Sequence, residues 1–147
     1  MTLANLLKTG QLREHAPDPR EIAGLLQSVQ RNLKDCAVTG VSAETRFSAA
    51  YRALLQSAIV ALMANGYRPS TAQAGHHATV LQSLPKTIGT PADRLAVLDA
   101  LRRKRNLLDY TGEPIDEGSV TACRKEATAL LAEVQAWLKK NRPELLK

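Results

Sequence analysis

A chain of 147 residues that is 44% hydrophobic but only 3% aromatic is the length of one domain, with a core drawn from Leu, Ala, Val and Ile and few rings for base stacking. Twenty basic residues against 14 acidic ones leave a net charge of +6, which suits a polyanionic partner and a merely solubilising surface equally well. Two cysteines, Cys36 and Cys123, with no basic-then-apolar leader at the N-terminus, read as free thiols, and no apolar run approaches the roughly 20 residues of a membrane span, so the expectation is a cytoplasmic protein away from membranes.

Residues 1–17 read as a lead-in, with a short helix over 2–8, before a bundle core over 18–141. "DPRE" at 18–21 puts Asp18 at an N-cap, Pro19 at the first helical position and Glu21 two further on, where its carboxylate can reach back. Ile22, Leu25, Leu26, Val29, Leu33 and Cys36 then trace one helical face, up to Thr39-Gly40. Ser42 caps a second helix with Phe47, Tyr51, Leu54, Ala58 and Leu62 along its stripe and alanines between them, ending at Asn65-Gly66. A third is expected from Ser70 or Thr71 to Leu84, closed by Pro85. "TPAD" repeats the cap logic, with Thr90 as N-cap, Pro91 at the first position and Asp93 at the third, for a helix carrying Leu95, Leu98, Leu101 and Leu108 up to Gly112. A last helix begins near Ser119 and places Cys123, Ala127, Leu130, Leu131, Val134 and Leu138 inward. No strand-like alternation is seen. The pattern predicts a single all-α domain over 1–147, an up-and-down bundle of about five principal helices.

Candidate sites are few. His76 and His77 are adjacent, so on a helix their rings diverge by about 100° and do not readily share a metal; His77 falls on the stripe of Val80, Leu81 and Leu84 and reads as a core-edge histidine. His15 precedes Pro17 in a linker and reads as solvated. No Gly-rich phosphate loop, nucleophile elbow or metal-ligand spacing is present, and no cofactor is implied. The exception to this plainness is "RRKRNLLDYTG", residues 102–112. Arg105 is four after Leu101 and three before Leu108, inside the apolar stripe, while Arg103 and Lys104 project outward. A guanidinium there needs a partner, because an isolated buried charge is costly, and Asp109 stands at i+4. An internal ion pair at a helix end and a polar site facing a ligand or a second chain both fit this spacing.

"RNLLDY" after a Leu-rich helix resembles the signature helix of the HEPN (higher eukaryotes and prokaryotes nucleotide-binding) family, in the form seen in small bacterial members, at Arg105, Asn106, Asp109 and Tyr110. The segment from Arg46 to Leu84 resembles the family's Ala-rich, Tyr-containing helix followed by a His-bearing one, and the likeness spans about residues 41 to 140. The resemblance implies an all-α homodimer whose signature helices face each other, a toxin–antitoxin association, a minimal nucleotidyltransferase as partner, and RNA or nucleotide as ligand. Arg102, Arg105, Asn106, Asp109 and Tyr110 would hold the phosphate, with Arg105 and Tyr110 the candidates for any catalysis. Nuclease members carry a His where Tyr110 stands. A phenol, with a pKa of about 10, is a poorer general base at neutral pH than an imidazole at about 6.5. The leading expectation is therefore a ligand-binding module rather than an enzyme. A metal-independent endoribonuclease with an Arg/Tyr site and a purely structural helical adaptor are the alternatives.

Overall fold

The structure is a computed structural model describing residues 2–72 and 75–147. It is an all-α bundle built on four long helices, α2 (Pro19–Asp35), α3 (Ala43–Ala64), α6 (Ala92–Thr111) and α7 (Glu117–Asn141). Short helices α1 (Leu3–Lys8), α4 (His76–Gln82) and α5 (Leu84–Thr87) and a 3-10 turn at Pro143–Leu146 complete it.

The cap signals translate directly into local structure. Asp18 accepts the Arg20 N–H at 2.9 Å, with Pro19 opening α2, and Ser42 Oγ accepts the Thr45 N–H at 3.2 Å at the start of α3. Glu21 does not reach back to its helix; it meets His15 Nε2 at 2.8 Å, so that histidine is paired rather than free in solvent. Gly112 ends α6 in the left-handed region at φ 63°, a conformation that glycine adopts without a Cβ penalty.

α3 is the spine. Phe47, Ala50, Leu54, Ala58, Ala61 and Leu62 are completely buried along it, and it packs between α2 and α7. The alanines let both neighbours approach closely, so interdigitated leucines and valines fill the space rather than rings. By length and composition α3 is long and apolar enough to cross a membrane, and 67% of that window is buried inside the bundle. Arg142, just beyond α7, donates from Nη1 to the Ala64 carbonyl at 2.7 Å, satisfying one of the open acceptors at the end of α3. Arg46 binds Glu117 through both carboxylate oxygens and so ties the start of α3 to the start of α7. Arg94 reaches Glu133 and Glu126 and ties α6 to α7.

Further expectations are corrected. A two-stranded antiparallel sheet is present, β1 (Leu12–Glu14) with β2 (Tyr67–Pro69), in register Leu12↔Pro69 and Glu14↔Tyr67. Its strands are too short to show alternation, and their pairing links segments far apart in the chain. Leu12 seals the pairing by burying against Leu6 and Leu62, so the lead-in is folded onto the bundle. The third helix is two: α4 ends at Gln82, and Pro85, instead of closing it, sits in the first turn of α5, where its missing N–H costs nothing. Ser70 lies beyond β2 and Thr71 in a turn, and the part of that expected helix over 73–74 falls outside the described residues. Pro91, not Thr90, is the N-cap of α6; the Thr90 hydroxyl is buried and makes no hydrogen bond among the described residues. The last helix begins near Ser119 as expected: α7 starts two residues earlier, at Glu117, because Asp116 accepts the Ser119 N–H at 3.2 Å.

Candidate functional site: a polar cleft between α3, α4 and α6

Leu98 and Leu101 anchor α6 on the bundle, and the same face continues one turn later with Arg105 and then Leu108. Here α6 runs beyond the packed core, and a cleft of about 260 Å³ opens between it, α3 and α4. Arg105, Asn106 and Asp109 line it from α6, Ser48, Tyr51, Arg52 and Leu55 from α3, and His77 from α4. The i,i+4 pairs Ser48/Arg52 and Tyr51/Leu55 follow from helical geometry, which stacks residues four apart on one side.

Arg105 Nη1 lies 2.8 Å from Asp109 Oδ2, with side chains 28% and 64% exposed. The expected i,i+4 ion pair therefore forms, and it forms at the edge of the cleft instead of being sealed inside. Arg52 makes no ion pair, and Asn106 spends its amide on no other side chain, among the described residues. The cleft thus holds two guanidiniums against one carboxylate, together with an uncommitted amide and the Ser48 hydroxyl.

Tyr51 is 3% exposed. Its hydroxyl lies 3.5 Å from His77 Nδ1, a long contact by hydrogen-bond standards. Burial pushes the phenol well above its ordinary pKa, so Tyr51 stays neutral and can donate. His77 is pushed down, first by burial and then by His76, Arg105 and Arg102; the His76 ring sits edge-on to it at 4.6 Å between centroids. A neutral imidazole therefore faces the cleft at pH 7.

An unfolded histidine titrates at about pH 6.5, and His77 in the fold takes up its proton at lower pH. Between those values the unfolded chain binds more protons, so stability is complete above about pH 6.5 and declines as pH falls through that window. Urea denaturation of the wild type and of His77→Gln between pH 7.5 and 5 is expected to show a shallower acid decline in the variant. Equal slopes would remove His77 as the cause.

The other residues expected at this site lie elsewhere. Tyr110 is 88% exposed on the outward side of α6 and does not line the cleft. Arg102 is engaged with Asp99 at 2.8 Å, and Arg103 reaches the other oxygen of that carboxylate at 3.0 Å. Lys104 donates to Ser119 Oγ at 2.5 Å and lies 3.6 Å from Asp116. Three of the four adjacent cations are thus paired with carboxylates and do not line the cleft, although Arg102 is near enough for its charge to act on Tyr51 and His77; of the four, Arg105 is the one in the lining. No local pattern in the sequence places Ser48, Tyr51, Arg52 or His77 here. The available signals were a Tyr and a His on otherwise apolar stripes, and they do not reveal which helices become neighbours.

Among the described residues no group of three His, Cys, Asp or Glu side chains is arranged to hold a metal. Both cysteines are buried and free. Burial raises the Cys36 thiol and takes Cys123 up to about 12, so neither is a ready nucleophile. No protein-family model, curated protein or solved structure matches the chain, so the chemistry of the cleft carries the functional reading.

Proposed function

We propose that this chain is a HEPN-like helical module that binds the phosphate of a nucleotide or of RNA in the cleft between α3, α4 and α6. In this reading it belongs to a toxin–antitoxin pair and partners a minimal nucleotidyltransferase, as its likeness to the small bacterial members implies. The observation that carries the phosphate assignment is the meeting of Arg52, Arg105 and the Asn106 amide in one polar cleft with a single carboxylate. Arg presents a planar fork suited to phosphate oxygens, and an amide N–H and a hydroxyl add donors without charge. Asp109 holds the fork in place while the cleft is empty. The test is titration of the protein with inorganic phosphate and with a short single-stranded RNA, following the His77 ring by NMR. Saturable binding that weakens as salt rises is expected; no saturable binding of either would overturn the assignment.

A second reading, metal-independent cleavage of RNA, is favoured by one observation: His77, with a lowered pKa, lines the same cleft as Arg105. An imidazole neutral at pH 7 can accept a proton from a ribose hydroxyl while an arginine stabilises the phosphate. RNA cleavage in the presence of a chelator, lost in His77→Ala, would support it over simple binding.

We also propose that the protein is a homodimer through α6. The inner face of α6 packs on α3, α4 and α5, and its outer face presents Val97, Leu107 and Tyr110 at 47%, 59% and 88% exposure, with Ala96 and Ala100 between them. The cations on that face, Arg103 and Lys104, are engaged with Asp99, which Arg102 shares, and with Asp116, which reduces the like charge that two copies would bring together. Leu107→Asp is expected to convert a dimer into a folded monomer in sedimentation. A wild type that is monomeric at micromolar concentration would refute the assembly.

A further inference from the structure

On the other flank of α3 from the phosphate cleft lies a larger groove of about 470 Å³, formed with the C-terminal turn of α2 and the loop that follows it. Its walls are Val38, Val41 and Ala49. Val38 and Val41 are 47% and 37% exposed, although most large hydrophobics in the bundle are buried. Asn32 and Asp35 stand at its polar edge. Ser48 and Arg52 line this groove and the phosphate cleft alike, so the two adjoin along one ridge of α3.

We propose that this groove is the base subsite for the ligand whose phosphate occupies the cleft, and that the base it selects is guanine. The proposal rests on the phosphate reading of the cleft. A nucleobase is a flat body with apolar faces and a polar edge, and the groove offers aliphatic walls with polar groups at one side. Both edge groups accept hydrogen bonds. An ionised Asp35 carboxylate is acceptor-only and has no ion-pair partner among the described residues. Asn32 gives one amide N–H to Gln56 Oε1 at 3.1 Å, and its carbonyl oxygen, which that bond does not use, is an acceptor. Guanine presents two adjacent donors, the ring N–H and the exocyclic amine, and these match a carboxylate in bidentate fashion. Adenine and cytosine set one amine beside an acceptor, which would oppose the carboxylate. The span also fits: from Thr45 to Arg52 along α3 is about 10 Å, the reach of a nucleoside monophosphate from base to phosphate.

The experiment is calorimetric titration of the full chain with GMP, AMP, inorganic phosphate and a trinucleotide carrying one internal guanosine. GMP is expected to bind at least tenfold more tightly than AMP. Asp35→Asn, a near-isosteric change on an exposed helix end, should cost GMP at least tenfold and leave inorganic phosphate unchanged. Ala49→Leu, which fills the groove with a good helix former, should do the same by a separate route. Tighter binding of the trinucleotide than of GMP would place the guanine within RNA, and the reverse would make the ligand a free nucleotide; either supports the subsite. Equal affinity for GMP and AMP, or equal losses of GMP and phosphate in Asp35→Asn, would overturn the base subsite while the phosphate cleft stands. Absence of phosphate and nucleotide binding altogether would remove both.

Discussion

Phe47→Ala is expected to destabilise the bundle by about 3–5 kcal/mol, the usual range for truncating a buried Phe. Phe47 is the only Phe in the chain, it is completely buried, and it belongs to α3, which packs between α2 and α7. Part of the loss is transfer of the ring out of water, and part is the void left behind. Collapse around that void is limited because Ala50 and Tyr51 follow on the same helix and Arg46, one residue earlier, is fixed to Glu117. Against a total stability of about 5–15 kcal/mol for a domain of this kind, the variant should sit near the threshold of folding. Urea denaturation checks it: the midpoint should fall sharply with the slope unchanged. A loss below about 1 kcal/mol would mean that the α2–α3–α7 core is not packed as described.

Arg105→Ala is expected to lower affinity for phosphate or nucleotide by roughly tenfold to 150-fold, corresponding to about 1.5–3 kcal/mol for hydrogen bonds to a charged group. Its effect on folding should be small, because an i,i+4 ion pair with a largely exposed partner contributes only about 0.5 kcal/mol. Arg105→Lys keeps the charge but loses the planar fork, and should recover part of the affinity at most. Arg103→Ala is the control: its side chain is 74% exposed and engaged with Asp99, so binding should weaken only slightly. Titration with inorganic phosphate, alongside thermal unfolding of each variant, separates the two roles of Arg105. Unchanged binding together with a large loss of stability would make the Arg105–Asp109 pair a structural device and nothing more.

The helices were legible because their signals are local. An Asp or Ser before a helical stripe satisfies orphan N–H groups within three residues, and a glycine past the end supplies a left-handed φ, so Asp18, Ser42 and Gly112 act where a reading of the chain places them. Stripes at spacings of three and four predict which side of α3 and α7 faces inward, since the period belongs to the helix itself. Even the Arg105–Asp109 pair follows from spacing alone. Local logic failed where two local rules compete. At "TP" before α6 the chain keeps Pro91 as the cap and buries Thr90, and at Pro85 it restarts a helix instead of ending one.

The sequence by itself determined the all-helical class, the caps at Asp18 and Ser42 and the stop at Gly112, the apolar faces and the presence of one arginine displaced onto an apolar stripe. Tertiary structure alone decided the short β1–β2 pairing, whose partners are brought together by burial of Leu12 and not by any pattern within three residues. It also decided the site. His77, Tyr51 and Arg105 lie on three different helices, and they share a cleft only because α4 and α6 both dock against α3. It kept Arg102, Arg103 and Lys104 out of the lining of that cleft by giving them Asp99, Asp116 and Ser119. The physical reason is range: capping and periodicity act over a few residues of backbone, whereas a binding site needs side chains whose proximity is fixed only when the whole core closes.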